Sequence, residues 1–167
     1  SLTSIPVTAP TKEHYEFTGW YTDATCTPDR KISETNPVSA QDETVINVYA
    51  GWKPETYNID YFVTDDKGQI FTGQYNTNST ESYTFDSQLI TLGTPNVIGD
   101  DSYTFYGWYL DETFQTKVEL DSFTPEEFYE YTSGTNTLYG YFSSRTIHTV
   151  AFDNDSFSTI SVVGGDT

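Results

Sequence analysis

His14 and His148 are the two imidazoles on which acid–base catalysis could turn, and Cys26 is the single thiol. General acid–base work needs a partner group within hydrogen-bond reach, and a serine or cysteine nucleophile needs a recognisable local setting. Neither histidine lies in such a setting. Cys26 has no second cysteine with which to form a disulfide, a redox pair or a zinc pair. Acidic side chains are abundant: Asp111-Glu112 and Glu126-Glu127 adjoin, while Asp65-Asp66-Lys67-Gly68 and Asp153-Asn154-Asp155-Ser156 are similar to calcium-binding turns. Calcium requires alternating oxygen ligands and a bidentate acid further along, and neither run completes that pattern. The expectation is no enzyme, no metal and no cofactor.

The remaining chemistry is that of surfaces. Fourteen Tyr, 11 Phe and 3 Trp supply enough ring area to build a core in a chain otherwise poor in aliphatic residues. An exposed ring could also stack on a sugar or anchor a protein contact. A formal charge of −18, from 25 acidic against 7 basic residues, repels phosphate backbones and anionic lipid headgroups. Nucleic acid is therefore excluded as a partner, and no apolar run approaches the length of a membrane span. With no Met and no basic-then-apolar leader, the chain reads as an internal segment of a longer protein.

The elements that must position these rings are repeated. Tyr15-Glu16-Phe17-Thr18-Gly19-Trp20-Tyr21-Thr22-Asp23 matches Tyr103-Thr104-Phe105-Tyr106-Gly107-Trp108-Tyr109-Leu110-Asp111 at an offset of 88. The same offset carries Asn36-Pro37 onto Thr124-Pro125. Val48-Tyr49-Ala50-Gly51-Trp52 then falls on Leu138-Tyr139-Gly140-Tyr141-Phe142 at 90, and Tyr57, Ile59 and Tyr61 fall on His148, Val150 and Phe152 at 91. A two-residue insertion is thus expected between the Pro and the closing strand.

The stretch Pro10 to Thr27, closed by Tyr49-Ala50-Gly51-Trp52, resembles the Listeria-Bacteroides repeat family, also called the internalin B-type repeat, of bacterial surface proteins. The second copy departs from the pattern at Gly140 and Phe142. The resemblance implies an α+β, β-rich chain of tandem β-grasp-like modules, each a small mixed sheet with one short helix. It also implies an extracellular setting, at the cell surface or secreted. Internal Lys–Asn cross-links occur in surface proteins of this class, but no Lys here sits in an evidently apolar strand.

The residues read the same way on their own. Tyr57, Ile59, Tyr61 and Val63 alternate as a half-buried strand should, Asp65 to Gly68 supplies a turn, and Gln69 to Tyr75 reads as the returning strand. Thr124 is the expected N-cap of a helix with Pro125 at its first position, Glu127 completing a capping box, and Phe123 with Phe128 as a hydrophobic staple. Phe128 and Tyr131 are expected to face inward before Ser133-Gly134 ends the run. Asn36-Pro37 offers a weaker version of the same opening. Gly19 marks a bulge or a close backbone approach that would turn Trp20 inward, so Trp20 and Trp108 are expected in the core.

Three segments follow: residues 1–54 as a partial module, 57–143 as a complete one, and 147–167 as the opening hairpin of a third. Leu2 to Val7 could stand in for the opening strand missing from the first, or the terminal hairpin could complete it by strand addition, within one chain or between chains. The function expected is a stalk or an adhesive module contacting a host protein, a neighbouring-cell protein or other modules of the chain. The alternative is a carbohydrate-binding module attached to an enzyme. Recognition is expected where the copies differ, with Tyr106 the leading candidate and Tyr129 and Tyr131 behind it.

Overall fold

The computed structural model describes residues 7–38, 45–65, 75–76, 78–97, 103–144, 147–150 and 160–163. The proposed calcium-like run at Asp153 to Ser156 lies outside them, as do residues 2–6, 66–68 and 69–74 of the expected opening strand, turn and returning strand. The chain divides into two compact units, one of Ser1–Thr56 with Thr84–Asp86, the other of Tyr57–Tyr83 with Ser87–Thr167.

In the first unit, β1 (Tyr15–Tyr21) pairs antiparallel with β2 (Tyr49–Pro54). The register slips between Phe17 and Gly19, so Thr18 is an extra residue and Phe17 and Trp20 come to share a face. Gly19 has φ +135°, a backbone conformation that L side chains rarely adopt. The expected bulge is present, and it turns Trp20 toward Phe17, at 5.5 Å between ring centroids. Trp20 nevertheless remains half-buried. His14, at φ +64°, stacks on Phe85 with ring centroids 3.6 Å apart.

The second unit opens with β3 (Tyr57–Asn58) and β4 (Asp60–Asp65), followed by β5 (Tyr75–Asn76), β6 (Ser82–Tyr83), β7 (Ile90–Thr91) and β8 (Asn96–Val97). Then come β9 (Tyr103–Tyr109), β10 (Ser122–Phe123), α1 (Pro125–Tyr131), β11 (Thr137–Ser144), β12 (Ile147–Val150) and β13 (Ile160–Val163). Its main sheet is mixed: β11 lies at the centre, parallel to β4 and antiparallel to β9. Short antiparallel pairs β3–β6, β5–β8, β10–β7 and β12–β13 complete the β structure. Ile59 and Val63 are buried while Asn58, Asp60 and Phe62 are exposed, which is the alternation read from the sequence. Asp65 is not a turn residue: it continues that inner face as the buried last residue of β4.

The helix forms as its cap dictates. Thr124 Oγ1 accepts from Glu127 N–H, and the Glu127 carboxylate accepts from Thr124 N–H at 2.9 Å. That backbone bond foremost, and the Thr124 hydroxyl donating to the same carboxylate at 3.0 Å, hold the Glu127 carboxyl below its ordinary pKa. Phe123 and Phe128 meet at 5.6 Å, edge to face, and both are buried. Tyr131 does not face inward. It sits at the exposed edge against Phe123, because Thr132, four residues on, falls more nearly beneath Phe128 and is the buried one. Ser133 enters the left-handed region at φ +52°, and the bonds Gly134 N–H to Tyr129 O and Ser133 N–H to Glu130 O close the helix end.

In the first unit Pro37 and Val38 are not helical, and residues 39–44, over which a helix opened at Asn36-Pro37 would run, lie outside the described residues. The Asn36 side-chain amide donates to the carbonyls of Asp29 and Lys31, at 2.9 and 3.0 Å, fixing a bend. Among the described residues, the first unit's helical structure is the 3-10 turn Pro28–Arg30. The offset of 88 does not persist through this region either. Ile32 N–H bonds Trp20 O and Val118 N–H bonds Trp108 O, both at 2.8 Å, so Ile32 answers to Val118 and the turn after Asp23 is two residues longer than the turn after Asp111.

Candidate functional site

The core of the second unit lies on one face of the β4–β11–β9 sheet. Val63, Leu138, Phe142 and Trp108 point into it with Phe123 and Phe128. Trp108 is 5% exposed, packs 5.2 Å from Phe105 and 4.9 Å from Tyr61, and donates Nε1–H to Gly93 O at 2.9 Å. Its burial depends on Gly140 directly opposite: a Cβ there would stand 2.8 Å from Trp108 Cζ3.

The opposite face carries a second set of rings. Directly opposed residues of paired strands point to the same side, so Phe62, Tyr139 and Tyr109 form one row across all three strands. Phe62 and Tyr139 stack 5.7 Å apart at 24°. In the next row Tyr141 faces Gly107, and Tyr106, the extra residue of the β9 bulge, comes to 5.7 Å from the Tyr141 ring. Phe114 fills the corner, 4.8 Å from Tyr141 and 5.3 Å from Tyr109. Phe62 is 48% exposed and Tyr106 40%, while Tyr109, Phe114, Tyr139 and Tyr141 are half-buried. Asp60 precedes Phe62 on the same side of β4, and Glu112 is exposed in the turn that holds Phe114.

That turn is organised by Asp111. Its carboxylate accepts from the Thr113 hydroxyl and from the backbone N–H groups of Thr113, Gln115 and Thr116, the last at 2.8 Å. These bonds, the Thr113 hydroxyl first, hold its pKa at about 2. Asp23 does the same for the first unit, its pKa lowered chiefly by the Thr25 hydroxyl and further by Thr27. The shared Asp of the repeat is thus committed to turn geometry. Lys117, after the turn, lays its stem over Gly107, where a Cβ would meet Lys117 Cε at 2.6 Å. Beyond the bulge the edge of β9 diverges from residues 117–121, leaving an open cleft of about 290 Å³. Tyr106 and Leu120 are exposed along it, and Lys117, Glu119 and Asp121 are its charged groups.

Tyr106 is therefore exposed, as the sequence suggested, and it joins the ring face to the cleft. Tyr129 lies elsewhere, against Tyr57 at 5.6 Å and over Gly134, and Tyr131 packs on Phe123. The three are not brought together. Sequence reasoning missed Phe62, Tyr109, Phe114, Tyr139 and Tyr141. The signal was the strand alternation itself, which sets Phe62 opposite in phase to Val63, and Tyr139 and Tyr141 opposite in phase to Leu138 and Phe142. Among the described residues no group of three or more His, Cys, Asp or Glu could hold a metal ion, and no helix is long and apolar enough to cross a membrane.

The sequence profile of the Listeria-Bacteroides repeat domain matches residues 1–50 and 57–139. Among curated proteins, the chain is 29% identical over 137 residues to a provisionally named membrane protein of Evansella cellulosilytica, covering 81% of this chain and 18% of that protein. It is 34% identical over 113 residues to Internalin H of Listeria monocytogenes, covering 68% of this chain and 17% of that protein. The chain thus spans less than a fifth of each relative's length. No solved structure matches it significantly. The chain belongs to the Listeria-Bacteroides repeat domain family.

Proposed function

We propose, from that membership, that the chain is a non-enzymatic segment of a longer bacterial protein displayed on the cell surface or secreted, and that its second module makes a protein contact through the aromatic face. On this reading residues 1–54, 57–143 and 147–167 are successive, β-grasp-like modules or parts of modules. The array spaces a distal region from the cell, and the hairpin β12–β13 is available for strand addition to another module. The likeness to Internalin H supports the surface setting.

The observation that carries the contact is the difference between the copies. Where the second unit has Tyr106, Phe114 and Tyr141, the first has Thr18, Cys26 and Gly51 at the matching bulge, turn and strand positions. A core requirement would keep large rings in both. Six clustered rings, two of them well exposed, are the composition of a contact centre, where tyrosine supplies broad area with few rotatable bonds. The carbohydrate reading is favoured by one feature, the polar cleft beside Tyr106. Against it, neighbouring rings on the face tilt at 41° to 74° where they are not stacked on each other, so they offer no shared flat platform for a sugar chain.

The test is binding of the fluorescently labelled chain to intact host or bacterial cells, with Tyr106→Thr/Tyr141→Gly as the control. Protease treatment of the cells should abolish the binding that this variant lacks. Loss on glycosidase treatment, with resistance to protease, would move the function to the carbohydrate reading.

A further inference from the structure

We infer that the aromatic face takes a cationic, arginine-bearing polypeptide segment; this rests on the protein-contact reading and specifies its partner. Two observations lead there. First, the charges around the face are unbalanced. Asp60 flanks the Phe62 row, Glu112 is exposed in the turn beside Phe114, and Glu119 and Asp121 line the adjoining cleft, with Lys117 the one cation among its described residues. The whole chain carries −18, so an acidic segment would be repelled on approach and a basic one steered in.

Second, the ring geometry suits a planar cation. Neighbouring rings of the face lie in contact, with centroids 4.8 to 5.7 Å apart, so a cation must seat on an outer ring surface, and Phe62 and Tyr106 are the exposed ones. A guanidinium laid flat on such a ring can still direct N–H groups to a carboxylate at the rim. An ammonium can satisfy one of those demands but lacks the plane to stack.

The experiment is selection of a random peptide library, displayed on phage, against the whole chain, with counter-selection on Tyr106→Thr/Tyr141→Gly. That variant removes two rings of the face, installs residues that the first unit folds with, and leaves net charge unchanged. Its thermal unfolding and near-ultraviolet dichroism are compared with the parent so that a misfolded variant is recognised. A second variant, Asp60→Asn/Glu112→Gln, keeps every ring.

Surviving peptides should be enriched in Arg, bind the ring variant about 10-fold or more weakly, bind the acid variant several-fold more weakly, and lose about 10-fold in association rate between low and high salt. Replacing their Arg by Lys should weaken them further than charge alone explains. Ring-dependent peptides without basic enrichment would overturn this inference and leave the protein-contact reading standing. Basic peptides that bind parent and ring variant equally would show attraction by net charge alone and overturn it too. If no ring-dependent peptide survives at all, both the inference and the protein-contact reading fall.

Discussion

β2 of the first unit and β11 of the second each carry one glycine at the centre of the pairing with a Gly-Trp-Tyr strand, but on opposite faces. In β11 it is Gly140, on the core side, and Trp108 lies down over it. In β2 it is Gly51, on the outer side, and Tyr21 lies over it, 7% exposed, with its hydroxyl 3.3 Å from Thr18 Oγ1. The neighbouring positions are exchanged to match. Ala50 gives Trp20 a methyl group to clear on the core side, and Trp20 stays half-buried; Tyr141 fills the outer side of β11, and Tyr109 is diverted onto Phe114. The same motif therefore closes its outer face in one unit and its inner face in the other. A one-residue difference in where glycine sits decides which face is closed by a ring.

The largest consequence should appear when the two tryptophans are truncated. Trp108→Ala removes a fully packed ring and strands Gly93 O, and is expected to cost the second unit about 3–5 kcal/mol. Trp20→Ala removes a ring that solvent partly reaches and should cost less, in proportion to the smaller area it buries. Because the chain has two units, the readout is hydrogen exchange of β9 and β11 amides against those of β1 and β2. Equal losses would break the comparison.

The glycines themselves give the next effect. Gly140→Ala places a Cβ 2.8 Å from Trp108 and 3.2 Å from Phe105, so the rings must retreat, at about 1–3 kcal/mol. Trp108 emission should shift to the red, toward the exposure of Trp20. Gly51→Ala meets the Tyr21 ring at 2.2 Å and should lift that ring into water, opening on the first unit the kind of face the second already has. Unchanged emission and stability in Gly140→Ala would mean that the backbone relaxes and the glycine does not set the packing.

Much of this was legible in advance, and the boundary of what was legible is itself physical. The bulge at Gly19, the inward Trp108 and the Thr124–Glu127 cap are local devices, and each is encoded by residues within a few positions of one another. Tyr131 was misplaced because a seven-residue helix has too little length for its period to separate the third from the fourth residue after Phe128. Asn36 has a use that its neighbours in sequence do not announce, because the amide fixes a bend through the carbonyls of Asp29 and Lys31. The aromatic face depends on which strands are neighbours. Phe62 and Tyr139 are far apart in sequence, and only the parallel pairing of β4 with β11 makes them a row.

A smaller effect tests what the second unit has beyond the shared strands. Tyr83 donates its hydroxyl to the buried Asn136 Oδ1 at 2.7 Å, tying β6 to the loop after α1. Tyr83→Phe leaves that oxygen without its donor and should cost about 1–3 kcal/mol. Burial, with Tyr57 and Tyr129 beside it, pushes the Tyr83 pKa up to about 12. Between the ordinary value near 10 and about 12 the unfolded chain has lost a proton that the folded chain keeps, so stability falls with rising pH across that window. The phenylalanine variant should show a shallower alkaline loss. A loss of the same steepness would place the alkaline sensitivity on other groups.

The smallest effect separates the two turns. Asp111 is held at about 2 and Asp23 is also lowered, so in each the folded value lies below the unfolded one near 3.8. The stability each contributes is therefore complete above about pH 4 and is lost as pH falls through the folded value. The Asp111 turn should still be intact at acidity where the Asp23 turn has begun to loosen, because Asp111 accepts backbone N–H groups from Thr113, Gln115 and Thr116 whereas Asp23 accepts one, from Thr27. Both carboxylates are open to water, so screening keeps the effect modest. Amide exchange at Thr27 and Gln115, followed from pH 5 to pH 2, should separate the two, with Thr27 accelerating first after correction for the intrinsic pH dependence. Simultaneous loss would make the turns equivalent. The two-residue difference in their length would then have no bearing on how firmly the second turn holds Phe114 against Tyr109 and Tyr141.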